Sequence, residues 1–180
     1  MRPWIYLQGF PYNIREVVTV DLTLSRIVDE SIQLELNVAK LYLTFHETFP
    51  EHGAFWWALH IEENNHAALI RSVKEHFVPS GKFPSDLLSS KLQELEETNS
   101  KIALLLKRYE QNPPTEAETF NIALELEESA GEIHFQKFMD KEEGSILYKI
   151  FQKLNRDDKN HALRLRSYMD THDISIRCRD

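Results

Sequence analysis

The sequence predicts an all-α fold: a four-helix bundle of two antiparallel helix hairpins joined by a long crossover that contains a fifth helix. Three observations predict it. The 180-residue chain holds only 5 Gly and 7 Pro, too few for a turn-rich sandwich or barrel. Its breaks leave five uninterrupted runs, each long for a globular helix, and helices of that length pack side by side. No segment shows the alternating pattern of a strand.

The breaks fix the order of the elements. Residues 1–20 hold Pro3, Gly9 and Pro11 and are expected to form an irregular N-terminal arm. Thr115 followed by Glu118 has the spacing of a capping box, which predicts a helix start. Helices are predicted over residues 21–48, 51–77, 85–111, 116–141 and 145–169, within a domain of residues 21–170 that is followed by a frayed tail, 171–180.

The third run has a heptad pattern, with Asn99 among its apolar positions. One interpretation is a coiled-coil seam between two chains, with Asn99 fixing the register. The favoured interpretation is a crossover helix whose stripe packs along the bundle, because it also explains how the chain passes from the second helix to the fourth. Two hairpins joined by one long crossover have a ferritin-like connection. The stripe consists of Leu88, Leu92, Leu95, Asn99, Ile102, Leu106 and Tyr109.

Composition excludes several classes of function. The formal net charge of −8 makes the chain a poor binder of nucleic acid or of an anionic membrane. No apolar run is long enough to span a membrane, and the N-terminus does not have the pattern of a signal peptide. The single cysteine, Cys178, excludes an internal disulfide and a thiolate zinc site. These features predict a cytoplasmic protein.

Four acidic residues fall on apolar helix faces. Glu35 shares its face with residues such as Val28, Ile32 and Tyr42, and Glu127 shares its face with Phe120 and Leu124, among others. The other two acids are each followed by a histidine one turn later, in the patterns Glu63-x-x-His66 and Asp158-x-x-His161.

Acid–histidine pairs at this spacing are expected by chance, and a metal-free, hydrogen-bonded polar core is the alternative. The joint order on four inward faces, however, favours a metal centre, because burying so many unpaired carboxylates costs many kcal/mol.

A carboxylate-rich set with one histidine per ion favours two iron or manganese ions over zinc. In the predicted arrangement Glu35 and Glu127 are terminal ligands. Glu63 and Asp158 bridge the ions, and His66 and His161 bind one ion each. Tyr42 and His134 lie two turns beyond the terminal glutamates, where they are predicted to hydrogen-bond the ligands.

Four segments resemble the ferritin-like di-metal carboxylate superfamily, and most nearly its rubrerythrin-type domain: LELNVAKLY (34–42), ALHIEENNHAALI (58–70), ELEESAGEIH (125–134) and DDKNHALRL (157–165). The resemblance covers about residues 20–170. It implies a di-iron oxidoreductase, often a homodimer, that reacts with peroxide or dioxygen. The chain has no rubredoxin-like Cys-x-x-Cys pair, so the resemblance implies an external electron donor.

Three alternatives remain open at this point. The chain can be a ferroxidase or another iron-handling protein, or a di-iron hydroxylase of an organic substrate. It can also be an assembly or binding protein on a ferritin-like frame that holds little metal. Metal content, and the number of Fe(II) ions oxidised per chain, discriminate among them.

Overall fold

A computed structural model describes residues 14–77, 92–134 and 146–177, and in this part all regular structure is helical. The side chains of 14–23, 130–134, 147, 148, 151, 155 and 158 lie outside the description. The prediction of an all-α protein is confirmed. The helices are α1 (Ile14–Thr48), α2 (Gly53–Phe77), α3 (Leu92–Tyr109), α4 (Glu116–His134) and α5 (Ile146–Thr171), with a 3₁₀ turn (Pro50–His52) between α1 and α2.

The helix ends differ from the predicted ones mainly at the start of α1. It begins at Ile14 and not at Asp21, so the last part of the predicted arm is helical. No Gly or Pro occurs between these two residues, and nothing in the sequence therefore ends the helix there. Residues 1–13, 85–91, 135–141, 145 and 178–180 of the predicted elements lie outside the described residues.

The helices form two antiparallel pairs. The short connection after α1 folds α2 back along it, so that His60 Nδ1 lies 2.7 Å from the Ala39 carbonyl oxygen. Farther along the same pair, Lys74 Nζ bonds Asp29 Oδ1 at 2.6 Å. α4 and α5 pack together with the ring of Phe120 stacked near that of Tyr168. α5 also contacts α2, which joins the two pairs into one helical body.

The third helix packs on α1 and runs parallel to it. Arg26 of α1 pairs with Glu96 at 2.5 Å, and the Phe45 ring lies 6.2 Å from that of Tyr109 at the far end. Asn99 donates to the Glu30 carbonyl oxygen at 3.0 Å. Of the described heptad residues, Leu92 is half-buried and the others are buried: Leu95, Asn99, Ile102, Leu106 and Tyr109. The stripe is thus covered by the same chain, as the crossover interpretation predicts; Leu88 lies outside the described residues.

The predicted C-terminal tail contacts the helices through residue 177. Just beyond α5, Asp173 lies in the left-handed region (φ 57°), and the Ile174 N–H bonds the Met169 carbonyl oxygen at 2.8 Å, which is a Schellman cap. Ile174 is buried. Asn121 of α4 then donates to the Ser175 carbonyl oxygen at 2.9 Å and accepts from the Arg177 N–H at 2.7 Å. A side chain of α4 therefore satisfies backbone groups of the tail, and the fraying expected from the sequence stays a prediction.

The core is aromatic at one end of the bundle and polar farther along. Tyr42, Phe45 and Trp56 are fully buried and in ring contact with one another, with Trp56 also packing on Phe120. The next turns of the helices carry buried carboxylates and imidazoles in place of Phe, Tyr and Trp side chains. In the described part of the chain, no helix has the length and apolarity needed to cross a membrane.

Candidate metal centre

Two groups of buried carboxylates and imidazoles share one residue, Glu63. The first group, here called the His66 half-site, is Glu35, Glu63 and His66. The second, the His161 half-site, is Glu63, Glu127 and His161. Within each group the potential ligand atoms lie within 4.8 Å of one another. Because Glu63 directs one oxygen to each group, the two half-sites are adjacent and joined by one carboxylate.

The His161 half-site is formed where α2, α4 and α5 meet. His161 Nδ1 lies 2.8 Å from Glu63 Oε1 and 3.4 Å from Glu127 Oε2. The other ring nitrogen, Nε2, donates to Glu62 Oε2 at 2.6 Å, and Arg164 donates to the same oxygen at 2.6 Å. The Glu62 contact fixes the ring so that Nδ1 faces the carboxylates, which is the arrangement of a metal-ligating histidine supported by an outer carboxylate.

The His66 half-site is formed between α1 and α2. His66 Nδ1 donates to Glu63 Oε2 at 3.2 Å and lies 3.6 Å from Glu35 Oε2. On the outer side of the ring, Nε2 lies 3.6 Å from Asp157 Oδ2 of α5. The two imidazole rings are stacked, 5.5 Å apart and 14° from parallel. The two half-sites therefore have the same arrangement. In each, the histidine Nδ1 faces two glutamates, and its Nε2 faces a carboxylate of the other helix of the α2–α5 pair.

Tyr42 connects the aromatic core to the centre. Its hydroxyl donates a short hydrogen bond to Glu127 Oε1. That bond leaves Glu127 Oε2 as the oxygen that faces His161. The Tyr42 ring stacks on Trp56 with centroids 5.6 Å apart, so the position of the hydroxyl is set by packing. Tyr42 thus orients a carboxylate contributed by another helix.

Both histidines bind protons strongly in the metal-free arrangement. Burial alone lowers the pKa of His66, but its contacts with the Glu35 and Glu63 carboxylates outweigh burial and raise the pKa to about 11. Burial likewise lowers the pKa of His161, and its contacts with Glu127 and Glu63 raise it to about 12. Two imidazolium ions therefore occupy the place where the carboxylates can hold cations.

The two carboxyl groups of the His161 half-site respond in opposite directions. Burial raises the pKa of Glu63, but its contacts with His161 and His66 outweigh burial, so this pKa lies well below the usual range. Burial and the neighbouring charge of Glu63 raise the pKa of Glu127. Glu63 is therefore the permanent anion of the centre, and Glu127 is the carboxyl whose charge depends on a nearby cation.

An atom pair in the His161 half-site fits a metal ion better than a hydrogen bond. Glu63 Oε1 and His161 Nδ1 are buried and 2.8 Å apart, yet neither has a hydrogen-bond partner among the described residues. Neighbouring donors around an octahedral ion with bonds of about 2.1 Å lie roughly 3 Å apart. Carboxylate oxygens and imidazole nitrogens are common protein ligands of divalent metal ions. The donor set and its spacing therefore fit a pair of divalent cations.

Five of the six predicted ligands come together in this cluster: Glu35, Glu63, His66, Glu127 and His161. The sixth, Asp158, belongs to α5, but its side chain lies outside the described residues, and so does that of His134 at the end of α4. Their predicted roles as a bridging ligand and a hydrogen-bonding residue stay predictions. Tyr42 makes the predicted kind of contact, a hydrogen bond to a candidate ligand.

Glu62 and Asp157 contact the centre but were not predicted from the sequence. Each directly precedes a predicted bridging acid, in Glu62-Glu63-x-x-His66 and Asp157-Asp158-x-x-His161. Each faces the histidine of the other motif. Successive side chains on a helix point about 100° apart. The first acid of each pair therefore points to the side of the second, so that Glu62 faces α5 and Asp157 faces α2. The doubled acid is the signal that could have revealed these contacts.

Comparisons with family models, with curated proteins and with solved structures find no match to this chain. Function is therefore inferred from the chain's own geometry. In the described part of the chain, all regular structure is helical, and buried Glu/His clusters there can hold metal ions.

Proposed function

We propose that this chain is a di-metal carboxylate protein that binds two iron or manganese ions and reacts with peroxide or dioxygen as a rubrerythrin-like oxidoreductase. The sharing of Glu63 between two buried half-sites is the observation that supports this most strongly. Two separate polar clusters would not need a common carboxylate. Two ions that react together with one O–O group need to be adjacent, and a shared carboxylate keeps them so.

The proposed fold is a ferritin-like four-helix bundle. Its support is the connectivity: α1 pairs with α2, α4 pairs with α5, and α3 lies on α1 between the two pairs in sequence. In bundles of this kind each of two helices supplies a glutamate, and each of the other two supplies an acid-x-x-histidine motif. Here Glu35 of α1 and Glu127 of α4 correspond to the single glutamates. Glu63 and His66 of α2 correspond to one acid-x-x-histidine motif.

When bound, the ions would supply electrons to the O–O bond. The protein's residues exclude water from the centre and orient the ligands. The five described ligands are at most 7% exposed, so bulk water is largely excluded from the centre. Glu62 holds His161 in the orientation that presents Nδ1. Tyr42 holds Glu127 with Oε2 toward the ligands. Reduction of peroxide to two waters takes two electrons and two protons, and we propose that an external donor supplies the electrons.

Anaerobic loading with Fe(II), followed by addition of hydrogen peroxide, tests this function. The account predicts oxidation of two Fe(II) per peroxide, much faster than for iron in buffer, and repeated turnover when a reductant is present. Glu63→Gln is expected to abolish the fast phase, since it alters both half-sites. Glu128→Gln, which breaks an exposed ion pair with Arg166 between α4 and α5, is the matched control.

Two outcomes would contradict the proposal. Oxidation no faster in the wild type than in Glu63→Gln would exclude a reaction at this centre. Oxidation that continues well beyond two irons per chain, without peroxide turnover, would favour iron handling over an oxidoreductase.

A further inference from the structure

A continuous line of ring contacts joins the candidate metal centre to the surface of α5. It begins at Tyr42, whose hydroxyl bonds Glu127 and whose ring stacks on Trp56 at a centroid distance of 5.6 Å. Trp56 lies 4.5 Å from Phe120, and Phe120 stacks 5.4 Å from Tyr168. Aromatic rings whose centroids are about 4.5–7 Å apart are in contact, so each step of this line is direct. These four rings are here called the aromatic line.

Tyr168 is the end of the aromatic line that solvent can reach. It is half-buried, and its ring stacks on the exposed His172 at 3.9 Å. Trp56, in the middle of the line, is fully buried. Trp and Tyr are the aromatic side chains that give up an electron most readily. A reductant in solution can therefore restore Tyr168 directly after it has lost an electron.

Tyr168 also has a base for its hydroxyl proton. His52 Nδ1 lies 3.1 Å from the Tyr168 hydroxyl oxygen, and Nε2 of the same ring lies 2.5 Å from Glu116 Oε1. With Nε2 donating to that carboxylate, Nδ1 is left as the acceptor for the tyrosine O–H. Burial raises the pKa of Tyr168, and Glu116 and Glu51 raise it further, so the hydroxyl keeps its proton at neutral pH. A tyrosine that loses an electron becomes strongly acidic, and His52 is within hydrogen-bond reach of the proton.

Tyr109 contacts the same aromatic core but has no such base. Its ring lies 6.2 Å from Phe45, which packs on Trp56. Among the described residues, its buried hydroxyl has no hydrogen-bond partner that could accept the proton. Arg108 lies 5.1 Å from the centre of the Tyr109 ring, and a positive charge so close opposes the loss of an electron. Of these two tyrosines, Tyr168 is therefore the one built to be oxidised.

We propose that Tyr168 is a redox residue, which supplies the centre with an electron along the aromatic line and passes its hydroxyl proton to His52. The inference rests on the proposed peroxide-reducing function. Reduction of one peroxide to two waters takes two electrons and two protons. Where only one of the ions is Fe(II), Tyr168 supplies the second electron and solvent supplies the two protons. The products are Fe(III), two waters, a neutral tyrosyl radical and a proton on His52.

The electron from Tyr168 protects the protein. A single electron from Fe(II) would split peroxide into hydroxide and a free hydroxyl radical, which attacks nearby side chains. The second electron completes the reduction to water instead. One electron from a reductant in solution, together with the proton on His52, then restores the tyrosine.

Freeze-quench electron paramagnetic resonance tests for the radical. Metal-free protein is given one Fe(II) per chain without oxygen, mixed with hydrogen peroxide and frozen. The wild type is expected to give a tyrosyl signal, which narrows in protein that contains ring-deuterated tyrosine. Tyr168→Phe, which keeps the ring contacts, should lose the signal. Tyr109→Phe, the matched control, should keep it.

The two proposals fail in different ways. Iron that peroxide oxidises at the centre without any tyrosyl signal would overturn the redox role of Tyr168 and leave the di-metal function standing. So would a signal that Tyr168→Phe retains, or one that Tyr109→Phe loses equally. No metal binding, and no oxidation faster than in buffer, would overturn both proposals.

The route of the electron is tested at two neighbouring tryptophans. Trp56→Phe should slow formation of the radical, because phenylalanine does not give up an electron readily. Trp57→Phe, at an exposed tryptophan outside the aromatic line, should leave the rate unchanged. Equal rates in the two variants would overturn the route through Trp56.

Variants of the base test where the proton goes. His52→Gln is expected to slow formation of the radical, because an amide is a far weaker base than imidazole. Glu116→Gln, at an exposed residue, should slow it less, by weakening the support of His52 Nε2. His172→Gln is the matched control, since its ring stacks on Tyr168 but its Nδ1 lies 2.9 Å from a backbone carbonyl oxygen. Formation at the wild-type rate in both His52→Gln and Glu116→Gln would overturn His52 as the proton acceptor.

Discussion

Glu63 Oε1 and His161 Nδ1 lie 2.8 Å apart in the interior, and neither atom makes a hydrogen bond within the described part of the chain. Such a contact between a donor and an acceptor normally forms a hydrogen bond, because an unmade one costs about 1–3 kcal/mol in a buried setting. A cation that both atoms can bind removes that cost. The geometry of this atom pair therefore supports a bound metal ion at the His161 half-site.

Metal is expected to stabilise the fold. An ion that binds the folded state at 100 times its dissociation constant adds about 2.7 kcal/mol to the free energy of unfolding. For a domain of this size that raises the melting temperature by roughly 5–10 °C. Thermal melts of protein stripped by a chelator, with and without added Mn²⁺, measure the shift. An equal shift in Glu63→Gln would show that the metal acts elsewhere on the protein.

Metal binding is expected to release protons. With pKa values of about 11 for His66 and 12 for His161, both rings are protonated near neutral pH in the metal-free protein. A histidine binds metal only after it loses the proton on the ligating nitrogen. Titration of weakly buffered protein with Mn²⁺ at pH 7 should therefore release close to two protons per chain. His66→Ala should release about one, and release of none from the wild type would contradict the assignment of these rings as ligands.

The same pKa values predict how the stability of the metal-free fold depends on pH. A raised histidine pKa adds stability that is fully present below the unfolded value of 6.5 and is lost as the pH rises toward 11 and 12. Metal affinity changes in the opposite direction and increases with pH. Chemical unfolding of chelator-treated protein at pH 6 and pH 10 checks this. A loss of stability at high pH that persists in the His66→Ala/His161→Ala double variant would assign it to other groups.

Tyr42→Phe is expected to weaken metal binding with a small effect on folding. The change removes the hydrogen bond to Glu127 Oε1 but keeps the ring that stacks on Trp56. Metal affinity at the His161 half-site should fall by about 10-fold. Tyr109→Phe, at a buried tyrosine outside the cluster, is the matched control. Calorimetric Co²⁺ titrations of the two variants compare them directly, and equal affinities would remove Tyr42 from the centre.

Asn121→Ala is expected to loosen the C-terminal tail without affecting the metal centre. The amide makes two hydrogen bonds to the tail backbone, and the loss of such bonds at the surface costs about 1 kcal/mol. Asn65→Ala, at an exposed position in α2, corrects for the gain in helix propensity that both substitutions share. Urea unfolding and limited proteolysis of the two variants measure the effect. A tail that is cleaved equally in both would contradict the assigned role.

Face assignment along the helices was enough to predict most of the centre. Glu35, Glu63 and Glu127 are surrounded by apolar residues at helical spacing, and all three are buried. The periodicity of the sequence predicts which acids are buried, because the spacing of residues along a helix determines which of them share a face. The coarse statement that these acids and the two histidines form a buried polar cluster therefore needed no tertiary information.

Contacts between helices could not be predicted in the same way. Glu62 lies on a half-exposed face, and the doubled acid Glu62-Glu63 marks it as unusual without showing that its partner is His161 of α5. The same holds for Asn121, whose contact with the tail depends on where α5 ends. Helix ends themselves depend on capping and packing, which is why α1 extends back to Ile14.

Metal content per chain, in protein prepared with iron and manganese present, tests the central claim most directly. The account predicts two ions per wild-type chain, one after Glu127→Gln and none after Glu63→Gln, because only Glu63 belongs to both half-sites. Glu128→Gln should retain two, with circular dichroism confirming that each variant is folded. A folded wild-type protein that binds no metal, or a Glu63→Gln variant that keeps both ions, would contradict the account.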